Sequence, residues 1–199
     1  MPRLLQADRF STLVSDVRGC VSCSRMAHSH AIGRASVRRG ARVLFVAEAP
    51  GRRGAAITGV PLTGDEAGRR FAAFLTLAGL ARGEVSVTNA VLCNPHDERG
   101  HNRTPAATEL ARCRPFLART IAIVDPCVVV ALGGVALASL RAIAPHALEL
   151  RRDAGTPAAW SGRTLVALYH PGRRATLHRS QDAQDDDWRR LGEALRRVL

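Results

Sequence analysis

The segment RVLFVAEAPG at residues 42–51 decides the fold, because the apolar run VLFVA ends at once in a carboxylate and a proline-glycine turn. A strand that is apolar on both faces is typical of a parallel sheet covered by helices on both sides. The same pattern recurs in VSVTNAV, CVVVAL and TLVAL. Four strands are therefore predicted, at residues 42–47, 85–91, 127–132 and 164–168.

The segments between these runs have apolar residues at helical spacing. The predicted helices cover residues 68–78, 106–124 and 134–143, and a last one starts at Asp185. Strands that alternate with helices predict an α/β protein, specifically a three-layer α/β/α sandwich around a central four-stranded, mainly parallel sheet.

The chain has 199 residues, of which 46% are hydrophobic, and this is enough for one sizeable core. We expect a single domain over residues 1–199, in which residues 1–40 form an N-terminal amphipathic helix, at 7–16, and an arm. The one long irregular connection is NPHDERGHNRTP at residues 94–105.

The charge balance favours a polyanionic partner. All 29 basic residues are arginine, and against 17 acidic residues they give a net charge of +12. For an intracellular protein this charge indicates nucleic acid first, although a basic surface without a specific partner has the same composition. The absence of lysine excludes a P-loop lysine, a pyridoxal phosphate Schiff base and a lysine nucleophile.

We expect a cytoplasmic protein without a membrane partner. No apolar run approaches the roughly 20 residues that span a bilayer. The first ten residues, MPRLLQADRF, also lack the apolar segment of a signal peptide. We also expect a monomer.

Polar side chains follow three of the predicted strands. Glu48 comes directly after the first strand, Asn89 lies in the second, and His170 follows the fourth. Ligands bind beyond the carboxyl ends of the strands in open parallel sheets, so these three groups are expected to converge on one rim. Each of them, taken singly, is more typical of a surface cap or turn residue, and it is the three together that indicate a site.

A reducing compartment disfavours disulfide bonds between the five cysteines. Cys20 and Cys23 form a CVSC motif, whereas Cys93 and Cys113 stand alone. One CxxC with two distant single cysteines favours a 4Fe-4S cluster, and structural zinc is the alternative. His28 and His30 are candidate partners of the CxxC in a zinc site, and Cys127, at the start of an apolar strand, is predicted to be a packed core thiol.

At this point the sequence resembles the iron-sulfur uracil-DNA glycosylases known as families 4 and 5. The resemblance runs from Cys20 to about Arg179 and rests on the order and spacing of several motifs. These are CVSC, VAEAPG at 46–51, TGVPLTGDEAG at 58–68, VTNAVLC at 87–93, NRTPAATE at 102–109, CRPFL at 113–117, PCVVVALG at 126–133 and YHPG at 169–172.

The resemblance implies a single glycosylase-like domain, a 4Fe-4S cluster on Cys20, Cys23, Cys93 and Cys113, and hydrolysis of the N-glycosidic bond of deaminated bases in DNA. The match is mixed between the two groups. AEAPG with Glu48 looks like family 4, whereas the segment with Asp65 looks like family 5, and each acid is the one implicated in catalysis in its own group.

Two further departures concern the pocket and the DNA-binding loop. Leu62 stands where both groups usually have a Phe that stacks on the flipped base, which weakens the inference of strict uracil selectivity. YHPG replaces the usual YHPS.

An enzyme of this class must extrude the nucleotide from the duplex and stabilise a cationic sugar and a departing base anion. Glu48 is expected to orient water and stabilise the sugar, and Asp65 is able to do the same or to act only as a helix N-terminal acid. Arg173 and Arg174, after His170, are expected to contact phosphates or the gap left by the flipped base.

The base itself is expected to meet two polar side chains. The carboxamide of Asn89 matches O4 and N3–H of uracil and rejects cytosine, unless it only closes a turn. His170 is expected to donate to O2, with Ala49, Pro50 and Gly51 lining the pocket.

Without lysine, a Schiff base at the sugar is disfavoured, so we expect a monofunctional enzyme that leaves an abasic site. Two alternatives remain. One is a covalent DNA-trapping relative that uses His101 in the 94–105 loop, and the other is a non-catalytic iron-sulfur protein that binds DNA.

Overall fold

The computed structural model describes residues 3–198 of the chain, with side chains from Arg9 onward. Its strands are β1 (Met26–Ala27), β2 (Val43–Ala47), β3 (Ser86–Asn89), β4 (Asn94–Pro95), β5 (Val128–Leu132), β6 (Pro157–Trp160) and β7 (Arg163–Leu168). Its α-helices are α1 (Arg3–Arg18), α2 (Ala55–Thr58), α3 (Glu66–Leu77), α4 (Ala107–Val124), α5 (Gly134–Arg141), α6 (Leu150–Asp153) and α7 (Gln181–Val198).

The central sheet has the strand order β3-β2-β5-β7-β6. Neighbours among the first four of these strands run parallel, and β6 pairs antiparallel with β7 at the edge. Residues of β2, β5 and β7 alternate between the two faces of the sheet, and both faces are buried, as the continuous apolar runs indicate.

Two apolar cores cover the two faces of this sheet. Leu44 and Val46 of β2 pack in the core that includes residues of α1, α4 and α5. Val43 and Phe45 pack in the other core with residues of α3 and α7, where the Phe45 and Trp188 rings stack at 5.6 Å. The predicted α/β/α sandwich is therefore confirmed.

The strand count was wrong by one. The sequence predicted four strands in the central sheet, whereas β6 adds a fifth at the edge. Its sequence, PAAW, has only Trp160 buried, so it lacks the apolar run that revealed the other strands. A short edge strand with a proline carries little sequence signal.

Element boundaries moved by a few residues. The second predicted strand is shorter than expected, because its backbone leaves the sheet at Asn89. The last helix starts four residues before Asp185, at Gln181. The 94–105 connection is less irregular than expected, since β4 pairs with β1 and His96 forms a bridge with Asn102.

The prediction for Cys127 was wrong. This residue precedes β5 and is exposed rather than packed in the core. The buried part of the strand begins one residue later, at Val128. Within residues 3–198, no helix combines the length and apolar character needed to cross a membrane.

Candidate active site

An open cleft of about 940 Å³ lies at the carboxyl ends of β2 and β7. Ten of the residues singled out in the sequence line it: Glu48, Ala49, Pro50, Gly51, Leu62, Asp65, His101, His170, Arg173 and Arg174. The fold therefore brings together most of the candidate site from four separate stretches of chain. A cleft at this edge of a parallel sheet is the usual place for a ligand.

Glu48 follows the last residue of β2 and lies half-buried in the cleft wall. Burial raises the pKa of its carboxyl above the ordinary value, because water solvates the charged form less well there. Within the described residues, no side chain forms an ion pair with Glu48. Its carboxylate is thus available to a ligand or a water molecule.

Asp65 has a structural role as well as a place in the cleft. It is the N-cap of α3, and its Oδ1 accepts a hydrogen bond of 2.9 Å from the backbone N–H of Gly68. A side chain at Gly51 would crowd the other oxygen, since its Cβ would lie 3.2 Å from Asp65 Oδ2. The helix-capping interpretation of Asp65 is therefore correct, and its second oxygen lies beside the AEAPG segment.

His170 follows β7 and its imidazole is held as a neutral ring. The backbone N–H of Gly172 donates to His170 Nδ1 over 3.0 Å, so Nδ1 is the acceptor nitrogen. Burial lowers the pKa of His170 to about 4, although the negative charge of Asp65 opposes this shift. At neutral pH the remaining proton is on Nε2, which leaves Nε2–H as a donor.

Asn89 is the one predicted site residue that does not line the cleft. It ends β3 in register with Ala47 of β2, and the backbone N–H of Val91 donates to the Glu48 carbonyl at 3.1 Å. Asn89 is 2% exposed, and its Nδ2 has no hydrogen-bond partner among the described residues. A buried amide donor without a partner is costly, and the neighbouring Thr88 Oγ1 is buried without one as well.

Leu62 lines the cleft with an unusual backbone. Its φ of 54° lies in the left-handed region, where a leucine is strained. The start of α3 packs tightly against it, because a Cβ at Gly68 would lie 2.8 Å from the Leu62 carbonyl oxygen. The position of Leu62 is thus imposed by its surroundings rather than by its own preference.

Arginines surround the cleft. Arg173 and Arg174 are exposed at the start of a 3-10 helix, Arg173–Leu177, so the segment after His170 is partly ordered rather than a simple loop. The sequence analysis did not single out four further cleft arginines, which are Arg52, Arg53, Arg69 and Arg103. Among 29 arginines, no sequence signal distinguishes these four from surface residues.

A hydrogen-bond network fixes the AEAPG segment from the 94–105 loop. Asn94 Nδ2 donates to the Pro50 carbonyl at 2.6 Å and to Asn102 Oδ1 at 2.9 Å. Asn102 Oδ1 also accepts from the backbone N–H of Arg52 at 3.0 Å. Asn94 and Asn102 are therefore positioning residues that the sequence analysis missed, although Asn102 belongs to the quoted NRTP motif.

His101, the candidate for covalent trapping, lies on the exposed side of the same loop and lines the cleft. Its Nδ1 is 3.6 Å from Asp97 Oδ2, and its backbone N–H donates to Asp97 Oδ1 at 2.8 Å. In the described residues, no hydrogen bond or ion pair joins this imidazole to Glu48.

Three of the four candidate metal ligands lie in one buried cluster, and Cys20 is close enough to act electrostatically on Cys93 and Cys113. Cys23, Cys93 and Cys113 are buried in one cluster with Met26 and Val91, and Cys20 is half-buried. All four are free thiols. Burial raises the pKa of Cys93 above its ordinary value and raises the pKa of Cys113 to about 11, and the neighbouring cysteines act in the same direction.

The chemistry of this donor set fits a thiolate-ligated cluster. Backbone hydrogen bonds from Ser29 and His30 act on Cys93, and one from Leu92 acts on Cys113, each of them favouring a thiolate. The described residues contain no group of three or more His, Cys, Asp or Glu side chains spaced for a single metal ion. A 4Fe-4S cluster does not require such convergence, because each cysteine ligates a different iron.

The two histidines of the arm do not extend this set. His28 Nε2 lies 3.1 Å from the Cys23 carbonyl oxygen, and His30 Nε2 lies 3.0 Å from that of Cys20. Their rings are therefore engaged with the main chain of the CxxC motif, which disfavours the zinc alternative that used them.

Arg103 joins the cysteine region to the cleft. It lines the cleft, and its five N–H groups reach the carbonyls of Arg25, His96 and Thr104 and the carboxylate of Glu109. Glu109 also caps α4 through the backbone N–H of Ala106 at 2.7 Å. One guanidinium thus connects the arm after Cys23, the 94–105 loop and the helix that carries Cys113.

A comparison with known proteins agrees with the family resemblance of the sequence. The sequence model of the "Uracil DNA glycosylase superfamily" matches residues 36–192. The chain is 34% identical over 131 residues to the Type-4 uracil-DNA glycosylase of Thermotoga maritima, covering 65% of this chain and 64%, slightly less than two thirds, of that protein.

Two further relatives match over longer stretches. The Type-4 uracil-DNA glycosylase of Archaeoglobus fulgidus is 29% identical over 167 residues, which are 77% of this chain and 76% of that protein. The one of Saccharolobus solfataricus is 26% identical over 194 residues, which are 94% and 87% of the two chains.

Proposed function

Because the chain belongs to the uracil DNA glycosylase superfamily, we propose that it is a DNA repair glycosylase that hydrolyses the N-glycosidic bond of uracil in DNA at this cleft. The relatives named Type-4 uracil-DNA glycosylase support this activity. The observation that carries the proposal is the meeting of Glu48, Asp65 and a neutral His170 in one arginine-rimmed cleft.

DNA is the partner that the rim fits. Arg173 and Arg174 are exposed beside the cleft, and Arg52, Arg53 and Arg69 line it as well. Guanidinium groups bind phosphates and stack on exposed bases, so they are suited to hold a strand while one nucleotide is extruded. Extrusion is required because the sugar carbon of a stacked nucleotide is inaccessible.

Glu48 is the main catalytic acid in this proposal. When the glycosidic bond breaks, positive charge develops on the sugar, and a carboxylate without a protein partner stabilises it and orients the attacking water. Asp65 is already committed to α3 through Oδ1, so its role is to cap the helix and to add negative charge near His170.

The departing base is stabilised by donors. His170 Nε2–H is placed to donate to O2 of the base, where negative charge develops, and a neutral imidazole does this without a prior proton transfer. Asn89 supplies an amide whose donor has no partner in the described residues, and a uracil O4 would satisfy it. Ala49, Pro50, Gly51 and Leu62 form the pocket wall, and Leu62 is expected to admit bases other than uracil because it replaces a stacking aromatic ring.

We assign Cys20, Cys23, Cys93 and Cys113 as ligands of a 4Fe-4S cluster. When bound, such a cluster would link the arm, the segment between β3 and β4 that carries Cys93, and α4 through Fe–S bonds. The positions of these segments then affect the cleft. Arg103 bonds to the arm at Arg25 and to α4 at Glu109, and Asn94 bonds to the Pro50 carbonyl in the cleft wall.

The reaction is expected to stop at the abasic site, because the chain has no lysine to attack the sugar. An enzyme of genomic DNA works inside the cell, so a cytoplasmic, nucleoid-associated monomer completes the proposal.

The test is incubation of the purified protein with single- and double-stranded oligonucleotides that contain uracil, hypoxanthine, xanthine or an etheno adduct. Base release is read as strand cleavage after alkali. We expect cleavage of uracil strands with alkali and intact strands without it. Absence of cleavage in the whole panel would refute the glycosylase and leave the non-catalytic iron-sulfur protein.

The same samples on a denaturing gel test the trapping alternative. An adduct that survives SDS in the wild type and disappears in His101→Ala would establish covalent trapping. Free abasic product with repeated turnover would exclude it.

A further inference from the structure

The segment between β7 and α7, residues 169–179, forms a closed loop that carries His170, Arg173 and Arg174. Its two ends touch, because the Arg179 guanidinium lies over the ring of Tyr169 at 5.9 Å from the centroid. Tyr169 is the only tyrosine of the chain and directly precedes His170. A cation over an aromatic face therefore closes the base of this loop.

Arg179 is itself held on α7. Its Nη2 donates to Asp187 Oδ1 at 2.6 Å, and its Nε donates to the other oxygen of the same carboxylate. Asp187 is 1% exposed, so the planar fork of the guanidinium has one fixed orientation. The Arg179 carbonyl also accepts from Gln184 Nε2 at 2.8 Å.

Stability alone does not explain the ion pair between Arg179 and Asp187. A buried carboxylate between arginines loses solvation, and well-packed apolar residues often serve as well or better at such positions. The neighbours of Asp187 on α7 include the core residues Trp188 and Leu191, so an apolar side chain would fit the surroundings. What the ion pair adds is a defined direction for Arg179 and hence for Tyr169.

We propose that Arg179 is a positioning residue for base excision, which closes the 169–179 loop over Tyr169 and thereby fixes His170, with Asp187 orienting it. This rests on the proposed function. The hydrogen bond from Gly172 to His170 Nδ1 lies inside the loop, so it depends on the loop remaining closed. An opened loop would admit water to His170 and let its Nε2–H turn away from the base.

The chain offers a matched control in Arg190. This residue also donates to Asp187 Oδ1, but it is bonded to the Ala154 carbonyl rather than placed over Tyr169. Arg190→Met therefore removes one cation from the same carboxylate and leaves the base of the loop closed. Arg179→Met removes the other cation and opens it.

The experiment measures single-turnover release of uracil, DNA affinity and thermal stability for both variants. We expect Arg179→Met to slow uracil release at least tenfold with DNA affinity within threefold of the wild type, and Arg190→Met to stay within threefold in both. Tyr169→Leu should slow uracil release to the same extent, whereas Tyr169→Phe, which keeps the ring, should retain most of the wild-type rate. Equal rates in the two arginine variants would overturn the proposal.

A second measurement does not depend on activity. In isotopically labelled protein, the histidine signal that disappears in His170→Asn identifies His170, and its titration is followed by NMR. We expect the pKa of His170 to rise towards the ordinary value in Arg179→Met and to be unchanged in Arg190→Met. No rise in Arg179→Met would refute the role of Arg179, whereas a rise in a protein that releases no base would leave it standing and refute the glycosylase function instead.

Discussion

The two ends of the central sheet differ in which polar groups they bring together. At the carboxyl ends, Glu48 and His170 are taken out of water and Asn89 is buried with a donor that has no partner in the described residues. At the amino ends, Asp125 pairs with Arg163 at 2.6 Å, and Cys127 is exposed to solvent. Both ends carry polar residues, and Arg163 Nε at the amino end is also buried without a partner in the described residues. What distinguishes the carboxyl end is that a carboxylate and a neutral imidazole, those of Glu48 and His170, line one cleft there.

This difference indicates which end is functional. A buried polar atom without a hydrogen bond costs about 1–3 kcal/mol. Such atoms are not confined to the cleft, since Arg70, Thr88 and Gln184 carry them as well, so the unpaired amide of Asn89 does not identify the site by itself. Exposed ion pairs such as Asp125–Arg163 contribute little in either direction. The convergence of Glu48, Asp65 and His170 in one cleft, rather than the mere presence of charge, favours the carboxyl end as the proposed active site.

The largest effect is expected for Glu48→Gln. Loss of the carboxylate should slow uracil release by about 10²–10⁴-fold, because no other group stabilises the sugar cation as directly. Asp65→Asn should cost less, since an amide oxygen still caps α3. Single-turnover cleavage of a uracil oligonucleotide measures both rates. A greater loss of rate in Asp65→Asn than in Glu48→Gln would make Asp65 the main catalytic acid instead.

The pH profile sharpens the same assignment. Burial raises the pKa of Glu48, so the rate should be full above that pKa and fall as the pH drops through it. The pKa of His170, about 4, lies below the raised pKa of Glu48, so Glu48 sets the first part of the fall in rate. The residual activity of Glu48→Gln should lack this limb, and a limb that persists would assign it to another group.

His170→Asn is expected to slow uracil release by about 10²–10³-fold, which is typical of losing one donor to a developing anion. Affinity for uracil DNA should change little, since the arginine rim is intact. Binding and single-turnover rates on the same oligonucleotide separate the two quantities. A rate near that of the wild type would remove His170 from the site.

The cysteines provide a comparison between buried and exposed thiols. Cys113→Ser should lose most of its bound iron and most of the absorbance at about 400 nm that a 4Fe-4S protein shows. Cys127→Ser, at the amino end of the sheet, should keep both. A colourless wild type with bound zinc would establish the zinc alternative.

Leu62→Phe is expected to have the smallest effect among the cleft variants. A ring at this position should stack on the base, raise the rate for uracil by up to about tenfold and reduce activity on larger bases. The oligonucleotide panel measures this ratio. An unchanged ratio would show that the side chain at position 62 does not face the base.

Sequence reasoning found the elements with strong periodicity and missed those without it. The four apolar strands and the helices between them are correct because burial on both faces leaves a continuous apolar run. The strand β6 was missed because only Trp160 of its four residues is buried. Cys127 was misassigned because one position at the end of a strand separates a buried side chain from an exposed one.

The sequence by itself determined the sandwich, the catalytic candidates at the strand ends and the four cysteines, because each depends on residue type and order along the chain. The tertiary structure decided how these groups are used: it set the proton of His170 on Nε2, committed Asp65 to α3, and joined Arg103 to the cysteine arm and Arg179 to Tyr169. The physical reason is that a hydrogen bond or a loss of solvation depends on partners brought from distant parts of the chain. No local pattern among 29 arginines distinguishes the few that make such contacts.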